Sequence, residues 1–149
     1  MIVEAQVTIN GSRAAIWAAI TNIENAAEIF RGIEKIEVVE QPANGIVGLR
    51  WRETRLLFGQ LTTVEKWITD AVENEFYTTR AEDNGFVFIT TMRISESSDG
   101  ITLISFHDSQ PQSIMAKLQA IPMELLFKGV VKKAILQDLN DIKSAVEQK

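Results

Sequence analysis

Five successive stretches in the middle of the chain alternate apolar and polar residues, and no helical period interrupts them. They cover residues 47–56, 60–69, 75–82, 86–95 and 101–108. Side chains of a strand point to opposite faces in turn, so this alternation reads as strands with one face buried. Short turns separate them: Phe58-Gly59, Asn84-Gly85 and Ser98-Asp99-Gly100. Asn-Gly is the strongest short hairpin signal, so consecutive strands pair antiparallel as a meander.

The flanks complete the pattern. Residues 2–9 alternate as well, with Val3, Ala5, Val7 and Ile9 apolar, and Asn10-Gly11-Ser12 then stops the strand. Ser12 is placed to cap a short helix over residues 14–20. A second helix starts at Thr21 or Asn22 and ends near Phe30, before Gly32. Residues 33–40 return to strand, closed by Gln41-Pro42-Ala43-Asn44-Gly45. From Ser113 to Gln148 the chain reads as helix. Pro122 is expected to end a short first segment and to sit in the first turn of a longer second one, where its missing N–H costs least. That second segment carries one apolar stripe, Phe127, Val131, Ile135, Leu139, Ile142 and Val146, with Lys128, Lys132, Gln137, Asp141 and Lys143 opposite. The fold class is therefore α+β. Seven antiparallel strands curve around a long C-terminal helix, with two short helices after the first strand.

With 149 residues the chain fits one domain, residues 1–149, and its 46% apolar content is ordinary for a globular protein. There is no cysteine and one histidine, which excludes thiol nucleophiles, disulfide frameworks and multi-histidine metal sites. No cofactor and no catalytic metal are expected. A net charge of −5 weighs against a nucleic-acid partner. No apolar run approaches ~20 residues and no signal peptide is legible. The expectation is a cytoplasmic domain without stable membrane insertion, monomer or homodimer.

The hairpin turns place residues on faces. An Asn84-Gly85 turn pairs Asp83 with Phe86, Ala81 with Phe88, Thr79 with Thr90 and Tyr77 with Met92, all on the apolar, concave face. A turn at Asp99-Gly100 would then set Met92 opposite His107 and Ile94 opposite Ser105. Tyr77, Met92 and His107 form one row on that reading. Phe76, Thr78, Arg80, Arg93 and Phe106 fall on the outer face, with the two phenylalanines flanking Arg93. In Arg50-Trp51-Arg52-Glu53-Thr54-Arg55, alternation sends Trp51, Glu53 and Arg55 inward. Glu53 and Arg55 are close enough to pair and to anchor the polar end of a ligand, or they lie at the rim with Arg55 reaching water. The next strand has two registers. A three-residue loop opposes Trp51 to Trp67 and Glu53 to Glu65, whereas a two-residue turn at Phe58-Gly59 opposes Arg52 to Glu65, which is electrostatically better. His107 is a candidate for proton transfer or a hydrogen-bonded structural histidine. Met115, Met123, Leu126 and Phe127 supply soft helix lining.

The segments "VTINGSRAAIWAAITNIENAAEIFRGI", "GLRWRETR" and "QDLNDIKSAVEQ" together resemble the START/polyketide-cyclase superfamily of helix-grip proteins (SRPBCC) over essentially the whole chain. Many relatives carry a proline near Ser12, which is absent here. The resemblance implies a cavity for a hydrophobic ligand between sheet and C-terminal helix, and no particular reaction. The first function expected is binding or transport of a small hydrophobic, lipid- or polyketide-like molecule. The candidate contacts are Trp51, Glu53, Arg55 and Trp67, then Tyr77, Thr79, Thr90 and Met92, then Ser105, His107, Met123 and Phe127. The alternative is a cofactor-free cyclase or aromatase-like enzyme with Glu53, Tyr77 or His107 as acid–base groups. A partner-binding domain using the outer face or the Leu56-Leu57-Phe58-Gly59 tip is a third reading.

Overall fold

A computed structural model describes residues 1–57 and 59–148, with side chains described except at 57 and 114–127. Strand β1 (Ile2–Ile9) leads into helix α1 (Arg13–Thr21). Ser12 caps α1 as expected: its backbone is extended and its hydroxyl accepts the Ala15 N–H at 3.0 Å. Ser12→Ala is expected to lower the unfolding free energy by about 1 kcal/mol, read from the urea midpoint. The expected second helix is broken into a 3₁₀ turn (Ile23–Asn25) and a single turn α2 (Ala26–Ile29). The Asn22 carbonyl oxygen of the side chain accepts from the Asn25 side chain rather than from a backbone N–H, and Asn25 leaves the helical region.

Six strands follow: β2 (Ile33–Glu40), β3 (Arg50–Leu57), β4 (Gln60–Val72), β5 (Phe76–Asp83), β6 (Phe86–Ser97) and β7 (Gly100–Pro111). The seven form one antiparallel sheet in the order β1-β7-β6-β5-β4-β3-β2, a meander with β1 returning beside β7. Strand β3 begins later than the alternation suggested, because residues before it turn. Gly48 sits at φ +94° and the Leu49 N–H bonds the Ile46 carbonyl.

Three hairpins fix the faces. Asn84 and Gly85 both have positive φ, as a type I′ turn requires, and the four expected pairs from Asp83–Phe86 to Tyr77–Met92 are all formed. Leu57 pairs with Gln60, so the two-residue turn holds and Arg52 faces Glu65. Phe58 itself lies outside the described residues. The third hairpin corrects the expectation. Ser97 pairs with Gly100, so the turn is Ser98-Asp99, and Met92 lies opposite Ser105 while His107 lies opposite Thr90. Moving a two-residue turn by one position shifts pairing by two residues, which keeps every side chain on its face but changes its row. On the outer face the Arg93 guanidinium lies 4.4 Å over the Phe76 ring, but Phe106 faces Thr91 instead of flanking Arg93.

Helix α3 is a single element, Ile114–Glu147, and runs through Pro122 instead of restarting there. The proline removes one hydrogen bond of the ladder, which does not end a helix of 34 residues. Along its apolar stripe Val131 and Ile135 are half-buried, whereas Leu139, Ile142 and Val146 are buried against Ala5, Ile9, Ile16 and Leu103. Asp141, expected on the polar side, is buried. It accepts the Arg31 backbone N–H and the Arg31 Nε–H, both at 2.9 Å. Lys143 Nζ donates to the Thr8 carbonyl at 2.7 Å, and Glu147 accepts the Asn10 N–H at 2.8 Å. These contacts pin the C-terminal half of α3 to the end of β1.

Candidate ligand cavity

The register decides what the concave face offers. Inward on β3 are Trp51, Glu53 and Arg55; opposite them on β4 are Lys66, Val64 and Thr62. The rows continue to Thr79 and Ala81 on β5, Phe88 and Thr90 on β6, and His107 on β7. Together these residues, Trp51 excepted, line a cavity of about 190 Å³ with a largely apolar wall. Trp51, Ile68, Tyr77 and Ile94 close the core beside it.

One side of the cavity is a buried chain of alternating charges. Glu53 accepts Arg55 Nε at 2.7 Å, Lys66 Nζ at 2.9 Å and Trp51 Nε1 at 3.3 Å. Arg55 grips Asp138 of α3 through both terminal nitrogens, at 3.2 and 2.9 Å. Burial alone would push the Glu53 carboxyl up, but Lys66 and Arg55 outweigh it and hold Glu53 at about 2. Burial opposes charge on Arg55 too, and Glu53 and Asp138 reverse it, raising its affinity for its proton. Asp138, unlike Glu53, is shifted upward: burial raises it, and the Arg55 pair only partly offsets this. Gly32 lies against this pair, where an added Cβ would come within 3.1 Å of Arg55 Nη1.

The other side is the imidazole. His107 Nδ1 lies 2.9 Å from the Thr90 hydroxyl and Nε2 lies 3.3 Å from the Ser109 hydroxyl. Phe88 stacks on the ring with centroids 6.1 Å apart. Burial first, and then the charge of Lys66, push His107 down to about 4, so it is neutral at pH 7.

Of the residues singled out from sequence, Glu53, Arg55, Thr79, Thr90 and His107 come together around the cavity. Trp51, Tyr77, Met92 and Ser105 share the concave face but lie outside the lining. The Tyr77 hydroxyl donates to the Ile20 carbonyl at 3.0 Å and its ring meets Trp17 edge-on, so it fastens α1 to the sheet. Burial, followed by Glu53 and Asp138, drives its ionisation far above the ordinary range. Trp67 is on the outer face, paired with Arg50, whose guanidinium lies 4.2 Å over the indole. Only the three-residue loop could have brought it inward. Met115, Met123, Leu126 and Phe127 lie outside the residues whose side chains are described.

Lys66, Thr62, Val64 and Asp138 were missed from sequence, and Ala81 and Phe88, though placed on the concave face, were not among the candidate contacts. The two-residue turn at Phe58-Gly59 already implies that Lys66 opposes Trp51, so its inward direction was legible. Ala81 and Phe88 followed from the Asn84-Gly85 turn. Nothing local points to Asp138, whose partner Arg55 is 83 residues away.

Comparison with known proteins adds family to geometry. Several solved structures share the fold at low identity. The di-domain ARO/CYC StfQ from the steffimycin biosynthetic pathway matches with a TM-score of 0.82 at 10% identity, over 99% of this chain and 51% of StfQ. This chain thus spans about half the length of StfQ. A START superfamily protein from Mycobacterium smegmatis matches with a TM-score of 0.79 at 15% identity, covering 99% of this chain and 97% of that one. The Zhui aromatase/cyclase from a Streptomyces species gives 0.76 at 18% identity, covering 99% and 94%. No curated protein matches the sequence. The family model described as "Polyketide cyclase / dehydrase and lipid transport" matches residues 1–147. A seven-stranded sheet with a long C-terminal helix, matched over nearly its full length, makes this chain a member of the polyketide cyclase/dehydrase and lipid transport family.

Proposed function

We propose that the protein binds a small hydrophobic molecule in the cavity between the concave sheet face and the long helix. The observation that carries this reading is the cavity itself. Its described lining is mostly apolar, with a few convergent polar groups, which is the composition of ligand sites. Its size of about 190 Å³ suits a small ring system, since an apolar cavity of roughly 150 Å³ holds benzene. Membership of a family described as polyketide cyclase/dehydrase and lipid transport, and the resemblance to a START superfamily protein and an aromatase/cyclase, point the same way.

Binding is favoured over acid–base catalysis by the state of the three candidate groups. Glu53 is held ionised by two cations and accepts three hydrogen bonds. Tyr77 is committed to a backbone carbonyl outside the lining. His107 is neutral, with both nitrogens facing hydroxyls. None of the three is a poised acid or base with which a ligand here would exchange protons.

Titration of the ¹⁵N-labelled protein with naphthalene tests the reading. Saturable shifts should cluster on Thr79, Ala81, Phe88, Thr90 and His107. No saturable shift, or shifts confined to outer-face residues such as Trp67 and Phe106, would overturn it.

A further inference from the structure

We propose that the ligand carries an oxygen hydrogen-bond acceptor, a carbonyl or a carboxylate, on its apolar body, and that Lys66 receives it. This deepens the proposed binding role and rests on it. An inventory of spare hydrogen-bonding capacity around the cavity leads there. An ammonium has three donors and no acceptor. Among the described residues, the single hydrogen bond of Lys66 goes to Glu53 at 2.9 Å. Among the described residues, two of its N–H groups thus have no partner, on a side chain that lines the cavity and is 30% exposed. The bond to Glu53 also fixes where Nζ sits, so little side-chain freedom is left to lose on binding.

Most of the other polar groups are committed: the Thr79 hydroxyl donates to the Thr90 carbonyl at 3.5 Å, and only the neutral Thr62 hydroxyl has no partner among the described lining residues. Glu53 already accepts from Trp51, Arg55 and Lys66. Arg55 turns its terminal nitrogens to Asp138, with Gly32 close behind Nη1. The Thr90 hydroxyl and both imidazole nitrogens serve the Thr90–His107–Ser109 run. Spare capacity on the charged side of the cavity is thus donor capacity, concentrated at Lys66. An oxygen acceptor completes it. A cationic ligand would instead set its charge against that of Lys66, and like charges repel.

Calorimetric titration of the intact chain with naphthalene, 2-acetylnaphthalene, 2-naphthoate and 2-naphthylmethylammonium separates the possibilities. One or both oxygen-bearing probes should bind about 10-fold more tightly than naphthalene, and the ammonium probe more weakly. The ketone and carboxylate arms tell a neutral acceptor from an acidic one. In Lys66→Met the oxygen-bearing probes should lose their advantage over naphthalene measured in the same variant. Equal affinity for naphthalene and both oxygen-bearing probes, tightest binding of the ammonium probe, or a preference that survives in Lys66→Met overturns the proposal. The wild-type series decides the question by itself if the variant does not fold. Failure of every probe to bind overturns the binding role, whereas naphthalene binding without an oxygen preference overturns the Lys66 assignment alone.

Discussion

Glu53→Ala is expected to lower the unfolding free energy by about 3–5 kcal/mol, the usual consequence of deleting one member of a buried ionic network. Glu53 is 6% exposed and sits between two cations. Its removal leaves Lys66 without a counter-ion among the described residues and leaves Arg55 with Asp138 alone. Glu53→Gln, which keeps the shape and removes the charge, should recover only part of the loss, because an amide attracts neither cation as a carboxylate does. The wild type should show the same dependence through pH. The folded-state value near 2 lies below the ordinary 4.5, so this stabilisation is complete above pH 4.5 and is lost as pH falls toward 2. Urea unfolding of both variants at pH 7 measures the effect. A change below about 1 kcal/mol for Glu53→Ala would mean that the network contributes little net stability.

His107 should make the protein lose stability at milder acidity. Burial and Lys66 hold its folded-state value near 4, against an ordinary 6.5. Between those values the unfolded chain binds a proton at this site and the folded chain does not, so stability rises with pH. The contribution is whole above pH 6.5 and falls by roughly 3 kcal/mol on descending to pH 4, at 1.36 kcal/mol per unit. In His107→Phe that segment of the pH profile should flatten. The ring shape is kept against Phe88, while the Thr90 and Ser109 hydroxyls each lose a partner and lower stability at pH 7 by about 1–3 kcal/mol. The decisive quantity is the difference between wild-type and variant unfolding free energies from pH 7 to 4, in which the other titrating groups largely cancel. A difference independent of pH would show that His107 titrates alike in both states.

These two groups mark how far the sequence reaches. Alternation and Asn84-Gly85 set every pair from Asp83–Phe86 to Tyr77–Met92, because both signals act over neighbouring residues and a type I′ turn admits one register. The inward direction of Glu53 and Arg55 came from the same source. So did the inward direction of His107, which survived the displaced third turn because a two-residue slip preserves faces. Its row did not survive. Gly100 lies just past the central residues of the turn, at φ +123°, and pairs with Ser97, so the turn closes on Ser98-Asp99.

Outside β4, where two registers were open and the structure turns Trp67 outward beneath Arg50, the sequence by itself determined the element order, the antiparallel meander, the helical stripe ending in Leu139, Ile142 and Val146, and the face on which each strand residue lies. Those follow from periods of two and 3.6 residues and from turn chemistry, which are local. The tertiary structure alone decided that α3 runs through Pro122, that Asp138 meets Arg55, and that Asp141 turns from the polar side of the helix to meet Arg31. Both ion pairs join groups far apart in the chain. The energy of a buried ion pair is set by which charges the fold brings within about 3 Å, and no local pattern encodes that distance.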